Sequence, residues 1–277
     1  MKKYSILSVD SNPDYLFFVP ITCAFWRKLG YEPYVILVDD KDVNPDILDL
    51  ICSTSGKATH INHFDHIQGY RTCNVAQISR LFAAADPLFG DEDYLMTDDM
   101  DKFAISDQWF NQQDFSKDIH IFDPDETNYT RLKIGNIGMK ASVWKEVIGI
   151  NEKSLRENLS DCLSKMLSKQ SSWDQGWNLD EYILTTRVFD SKYYPDNCQM
   201  CVRGGNQYGM RNGRIDRGAW KETFMQHISS RVIDVHLHRE PYGDEIWKDT
   251  KTIMSLVFSK EEIDYFENYK RNFVELV

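Results

Sequence analysis

The chain has 277 residues, of which 42% are hydrophobic and 13% aromatic, enough for a packed core and too apolar for a disordered chain. Its 43 acidic residues against 32 basic ones leave a formal charge of −11, which argues against nucleic acid or an anionic membrane as the main partner. No run approaches the roughly 18 apolar residues of a transmembrane segment. Met1-Lys2-Lys3-Tyr4 enters a strand-like segment without an apolar leader, and the six cysteines do not form a disulfide-scaffold pattern, so a cytoplasmic location is expected.

Tyr4 to Val9 is a short apolar, β-branched run that stops at the loop signal Asp10-Ser11-Asn12-Pro13. Tyr15 to Leu29 has helical spacing, with Gly30 as its C-cap and Pro20 kinking it or delaying its start. Tyr34 to Val38 is a buried strand ending at Asp39-Asp40, which completes a βαβ unit and predicts a parallel sheet. Helices are expected over Pro45 to Cys52 and Val75 to Ala85, with His60, His63 and His66 in a polar loop between them. Tyr94 to Thr97 is the next strand, followed by Asp98-Asp99-Met100-Asp101. Further strands are expected at Ile119–Phe122, Leu132–Ile134 and Arg231–His238, and helices at Ser142–Val147, Asn151–Lys169 and from Lys260 onward. Arg203 to Gly218 holds five glycines and four arginines and reads as a flexible basic loop. Cys198 and Cys201 have CxxC spacing without further ligands at matching spacing, which is a packing reading. The fold class is α/β, one domain over residues 1–277. It divides into a nucleotide-binding half (1–103), a donor-sugar and acceptor half (104–245) and a helical tail (246–277).

Ligands of open parallel sheets gather at the carboxyl ends of the strands, where Asp10, Asp39 and the Asp98–Asp101 cluster all fall. Asp99 and Asp101 alternate in a loop directly after a strand, so both carboxylates can reach one hard cation such as Mn²⁺ or Mg²⁺ and leave positions open for phosphate oxygens. An acidic chain that binds an anionic nucleotide needs such a cation or local basic groups at the site. Neither a GxGxxG segment nor a P-loop is present.

From Tyr94 to Phe103 the sequence resembles the strand-then-DxD segment of glycosyltransferases with the GT-A fold. The resemblance continues in order along most of the chain. Gln77 to Ala84 resembles the helix that carries an arginine ahead of the motif, here Arg80. Asn136-Ile137-Gly138 resembles the short segment beside the donor sugar, Trp173 to Tyr182 the later acidic segment, and Asp234 to Arg239 the histidine segment that supplies a further metal contact. Asp98, directly ahead of the DxD, departs from the pattern.

The resemblance implies a GT-A-like domain with a mostly parallel, Rossmann-like mixed sheet. It implies a metal-dependent transferase that moves a sugar from a nucleoside-diphosphate sugar, UDP favoured, to a hydroxyl acceptor such as a glycan. Asp99 and Asp101 would hold the metal, joined by His236 or His238. Asp10, Asp39, Arg80, Asp98, Asn136 and Gly138 would serve the donor. Asp10 is alternatively a cap or Asx-turn residue, and Arg80 a structural ion pair. Asp180, followed by Glu181, is the choice for the base of an inverting reaction; helix capping is the alternative. Trp173 and Trp177 are candidates for stacking on a sugar, or for the core. Arg211 belongs to a possible lid. Two other classes compete: a nucleotidyltransferase of nucleotide-sugar metabolism, disfavoured because Asp10 to Asp14 lacks a glycine-rich basic loop, and a non-catalytic carbohydrate-binding protein.

Overall fold

A computed structural model describes residues 1–39, 43–123, 131–169, 178–202, 213–217, 220 and 232–277. Strands β1 (Lys3–Asp10) and β2 (Glu32–Asp39) are parallel and form the middle of the main sheet. Alternate residues bury on opposite faces, as a strand covered on both sides requires. Leu7, Val9, Val35 and Leu37 join one apolar cluster with helix α2 (Val19–Lys28). Tyr4, Ile6, Tyr34 and Ile36 join the other with α4 (Thr72–Ser79) and α6 (Ala141–Ile148).

Among the described residues the main sheet has seven strands in the order β3-β2-β1-β4-β7-β6-β8. Here β3 is His60–Asp65, β4 Tyr94–Thr97, β6 Ile119–Phe122, β7 Ile137–Lys140 and β8 Cys198–Cys201. The half β3-β2-β1-β4 is parallel, β7 runs antiparallel to both β4 and β6, and β8 is parallel to β6. Chain order therefore reverses between β1 and β4, where an open α/β sheet leaves a crevice at its carboxyl edge. A second sheet, β5 (Lys102–Ala104), β10 (Asp234–His236) and β9 (Arg214–Ile215), pairs in the order β5-β10-β9 and starts immediately after the Asp98–Asp101 loop.

The C-terminal helices Asp244–Met254 and Lys260–Leu276 pack back on the N-terminal connection. Phe17 stacks on Tyr269 and meets Phe273 and Trp247 edge-on. Phe17 is fully buried, and a buried Phe contributes about 1.5–3 kcal/mol by area alone.

The delayed start expected at Pro20 is what the structure shows: α1 spans only Pro13–Leu16, and α2 begins at Val19 with the proline in its first turn, where no N–H is missed. Other expectations need correction. The segment read as a polar loop is edge strand β3, carrying His60 and His63. Leu132–Ile134 is irregular rather than a strand, and the antiparallel strand follows it at Ile137–Lys140. Arg214–Ile215, inside the supposed basic loop, is strand β9. No helix among the described residues is long and apolar enough to cross a membrane.

Candidate active site

A cleft of about 540 Å³ opens at the carboxyl ends of β1 and β4, lined by Ser8, Val9 and Asp10 on one side and Asp99, Met100 and Asp101 on the other. The Asp98–Asp101 loop between β4 and β5 is pinned at four backbone groups. Asp98 N donates to Ile6 O at 3.0 Å, Arg80 Nη1 to Asp98 O at 2.7 Å, Thr22 Oγ1 to Met100 O at 2.8 Å and Leu237 N to Asp101 O at 2.8 Å. Met100 is buried beneath the loop, so Asp99 and Asp101 are left on the cleft side of it.

Arg80, 5% exposed, follows α4 at the start of a 3-10 helix (Arg80–Ala85) and is the pivot of the site. Besides Asp98 O, its guanidinium reaches Asp99 Oδ1 at 2.7 Å and Asp180 Oδ2 at 3.0 Å. Its Nε also donates to Gln77 O at 3.3 Å, so the planar fork serves four acceptors, one more than the three N–H bonds of an ammonium could. Asp180 lies in the first turn of α8 (Leu179–Phe189) and is 2% exposed. Its Oδ1 accepts from Glu181 N at 2.9 Å, so both oxygens are engaged. Burial pushes the Asp180 carboxyl up against the opposing charge of Arg80. For Asp99, partial removal from water acts in the same sense, but Arg80 and Lys102 outweigh it and hold that carboxyl well below the usual range.

Asp98 faces away from the cleft. It is fully buried and ion-paired with Lys102, which also donates to Asn136 Oδ1 at 2.6 Å. Burial pushes the Asp98 carboxyl up to about 6, with Lys102 pulling the other way. Asn136 sits at φ 76°, a left-handed conformation that asparagine tolerates, and its neighbour Gly135 lies so close to Asp99 that a Cβ there would be 2.9 Å from Oδ2. Gly138 serves packing: a Cβ at that position would fall 1.7 Å from Tyr94 Oη on β4. Neither Asn136 nor Gly138 lines the cleft, and Asp39 is paired with His63 at 3.3 Å at the end of β2, outside it.

The β5–β10 ladder places the histidine. Lys102 pairs with His236 in register, and this brings His236 Nε2 within 3.3 Å of Asp101 Oδ2. His236 Nδ1 is 3.0 Å from Asp216 Oδ1, a carboxylate that can only accept a hydrogen bond there, which places an N–H on Nδ1. His238 lies beyond the strand and packs edge-on against Trp220, so the two histidines do not share a role. Asp10 lines the cleft and also accepts from Asn12 N at 3.2 Å, and Asn12 caps α1, so the turn reading holds. Glu181 lines the cleft and is paired with Arg131 at 2.8 Å, with burial pushing its carboxyl up. Trp173, Trp177 and Arg211 lie outside the described residues.

Arg71, Arg239, Tyr15 and Lys102 are not singled out by the sequence, and Arg217 enters only as the end of the possible lid Arg203–Arg217. Arg71, the N-cap of α4, has a readable signal, a basic residue at a helix start, and it lines the cleft. Arg217 had only its place in the basic segment. Among the described residues, six carboxylates and four guanidiniums line the cleft, an excess of negative charge that favours a further cation there.

Asp99, Asp101 and His236 offer two hard oxygens and one imidazole nitrogen, a donor set suited to Mn²⁺ or Mg²⁺. Among the described residues no three such groups already converge on one point. The reason is visible: Asp99 is drawn to Arg80, and Arg217 Nη2 stands between Asp101, at 2.6 Å, and His236 Nε2. A cationic group thus occupies the place, and the donors fit a cation there.

No protein-family model matches the chain, and no curated protein matches it in sequence. Among solved structures, the glycosyltransferase GlyE of Streptococcus pneumoniae TIGR4 superposes with a TM-score of 0.50 at 12% identity, over 99% of this chain and 64% of that one. The galactosyltransferase LgtC, solved with donor and acceptor sugar analogues, gives 0.47 at 12% identity over 95% and 99%. A Drosophila β1,4-galactosyltransferase 7 mutant, solved with manganese, UDP-Gal and xylobiose, gives 0.42 at 14% over 87% and 72%. The sheet order, the reversal between β1 and β4 and the GlyE superposition show the same thing: this chain has the GT-A glycosyltransferase fold.

Proposed function

We propose that the protein is a glycosyltransferase that uses a divalent cation to transfer a sugar from a nucleoside-diphosphate sugar, UDP favoured, to a hydroxyl of a glycan. The observation that carries this reading is that Asp99, Asp101 and His236 line one cleft at the point where the sheet order reverses. Asp99, Asp101 and His236 would hold Mn²⁺ or Mg²⁺, and the cation would supply charge stabilisation for the departing nucleoside diphosphate. Arg80 keeps Asp99 ionised and aimed, and Arg71 and Arg239 present positive charge from the cleft wall. Asp10 and Asp14 face the same cleft from the end of β1 and the start of α1, where the base and ribose would lie.

Asp180 is bound to Arg80 through one oxygen and to a backbone N–H through the other, which suits a positioning role better than proton abstraction. Glu181 follows as the proton acceptor for an inverting reaction, because its raised affinity for protons brings it nearer the range of an effective base. The six free cysteines are in keeping with a reducing cytoplasm. A hydrolysis screen across UDP-, GDP- and dTDP-sugars in Mn²⁺ tests the reading. Release of free sugar from one donor, abolished by EDTA, is expected; no turnover of any donor with any acceptor tried would count against transfer.

A further inference from the structure

Two arginines contact the carboxylates of the DxD loop, and they are not alike. Arg80 is buried and tied to four acceptors. Arg217 keeps 28% of its side chain exposed, and its Nη2 bridges Asp101 Oδ2, at 2.6 Å, and His236 Nε2. Because Asp216 accepts from His236 at Nδ1, the Nε2 lone pair is the one that faces Arg217. A guanidinium N–H and a divalent cation therefore claim the same two lone pairs. They repel each other strongly at this separation, so both cannot be held.

We propose that Arg217 is a built-in competitor for the cation: it neutralises Asp101 and His236 until a divalent ion displaces it, and once displaced it turns its charge to the anionic ligand in the same cleft. This rests on the cation reading above. Arg217 can leave because it is the exposed member of the pair, and the ligand is at hand because Arg217 and Arg239 line one wall of the cleft. The consequence is a pair of effects with opposite signs. Removing Arg217 strengthens binding of the metal alone and weakens binding of the nucleotide to the metal-loaded protein.

The test is Mn²⁺ binding by the full chain, read from the electron paramagnetic resonance signal of free Mn²⁺ without nucleotide, for wild type, Arg217→Ala and Asp216→Asn. Arg217→Ala is expected to bind Mn²⁺ about 10-fold or more tightly, the factor equivalent to one charge-assisted hydrogen bond. Asp216→Asn, which loosens the histidine, is expected to bind it roughly 10- to 100-fold more weakly. Calorimetry with UDP in saturating Mn²⁺ is then expected to show weaker UDP binding by Arg217→Ala. Equal or weaker Mn²⁺ binding by a folded Arg217→Ala overturns the inference and leaves the cation reading in place. Absence of Mn²⁺ binding in wild type and Arg217→Ala alike overturns both.

Discussion

Replacing Arg80 by methionine keeps most of the side-chain volume and removes the cation between Asp99 and Asp180. Asp180 is 2% exposed, so its charge would be left buried beside a peptide N–H alone. Breaking one side of a buried ion pair costs about 3–5 kcal/mol. Unfolding entropy of about 2.1 cal/mol/K per residue makes the chain's melting temperature fall by roughly 5–8 °C for that loss. Removing Asp180 as well takes away the uncompensated charge, so the double variant Arg80→Met/Asp180→Asn should be more stable than the sum of the single effects by about 2 kcal/mol or more. The pH dependence has a definite sign. Burial raises the Asp180 carboxyl, and without Arg80 it rises further, so the folded variant binds a proton more readily than the unfolded chain. Its stability deficit should therefore shrink as the pH falls from neutrality toward the ordinary carboxylate value of about 4. Calorimetric melts of the four proteins at several pH values measure all of this. A melting temperature for Arg80→Met within about 1 °C of wild type, the range of a surface change, would refute the buried-pivot argument.

Asp101→Asn should abolish Mn²⁺ binding and sugar transfer while leaving the melting temperature near that of wild type, checked by calorimetry and a donor-hydrolysis assay. Glu181→Gln should lower kcat by about 10²–10⁴-fold with donor KM nearly unchanged; ordinary turnover would move the base role elsewhere or indicate retention of configuration. Gly138→Ala should destabilise the fold by about 1–3 kcal/mol, because the new Cβ meets the buried Tyr94 hydroxyl. Adding Tyr94→Phe should recover part of that loss, and a Gly138→Ala protein that melts like wild type would contradict the packing account.

The parts legible in the sequence are those with a strong local signal. β1, β2 and β4 are apolar runs buried on both faces, and their ends carry Asp10, Asp39 and Asp98 to Asp101. β3 escaped because an edge strand needs no second apolar face, and its polar residues His60, Asn62 and Asp65 spell a loop. Leu132 and Ile134 are as apolar as a strand but are buried by packing under β4, with Ile134 O accepting from Thr97 Oγ1. The choice between His236 and His238 depends on where β10 stops, which their spacing cannot give. Arg217 and Asp101 stand 116 residues apart and meet only through the β5-β10-β9 sheet, so no local pattern marks the pair. Gly138 also has a packing reason that its motif does not show: its diagonal cross-strand neighbour Tyr94 leaves no room for a Cβ.

The central claim is that this cleft binds a nucleoside diphosphate by way of a divalent cation. Titration calorimetry of UDP into the wild-type protein, once in Mn²⁺ and once in EDTA, addresses it most directly. The account predicts saturable one-to-one binding in Mn²⁺ that disappears in EDTA and in Asp101→Asn. UDP binding of equal strength in EDTA and in Mn²⁺ would contradict it, and would assign the diphosphate to the arginines of the cleft instead.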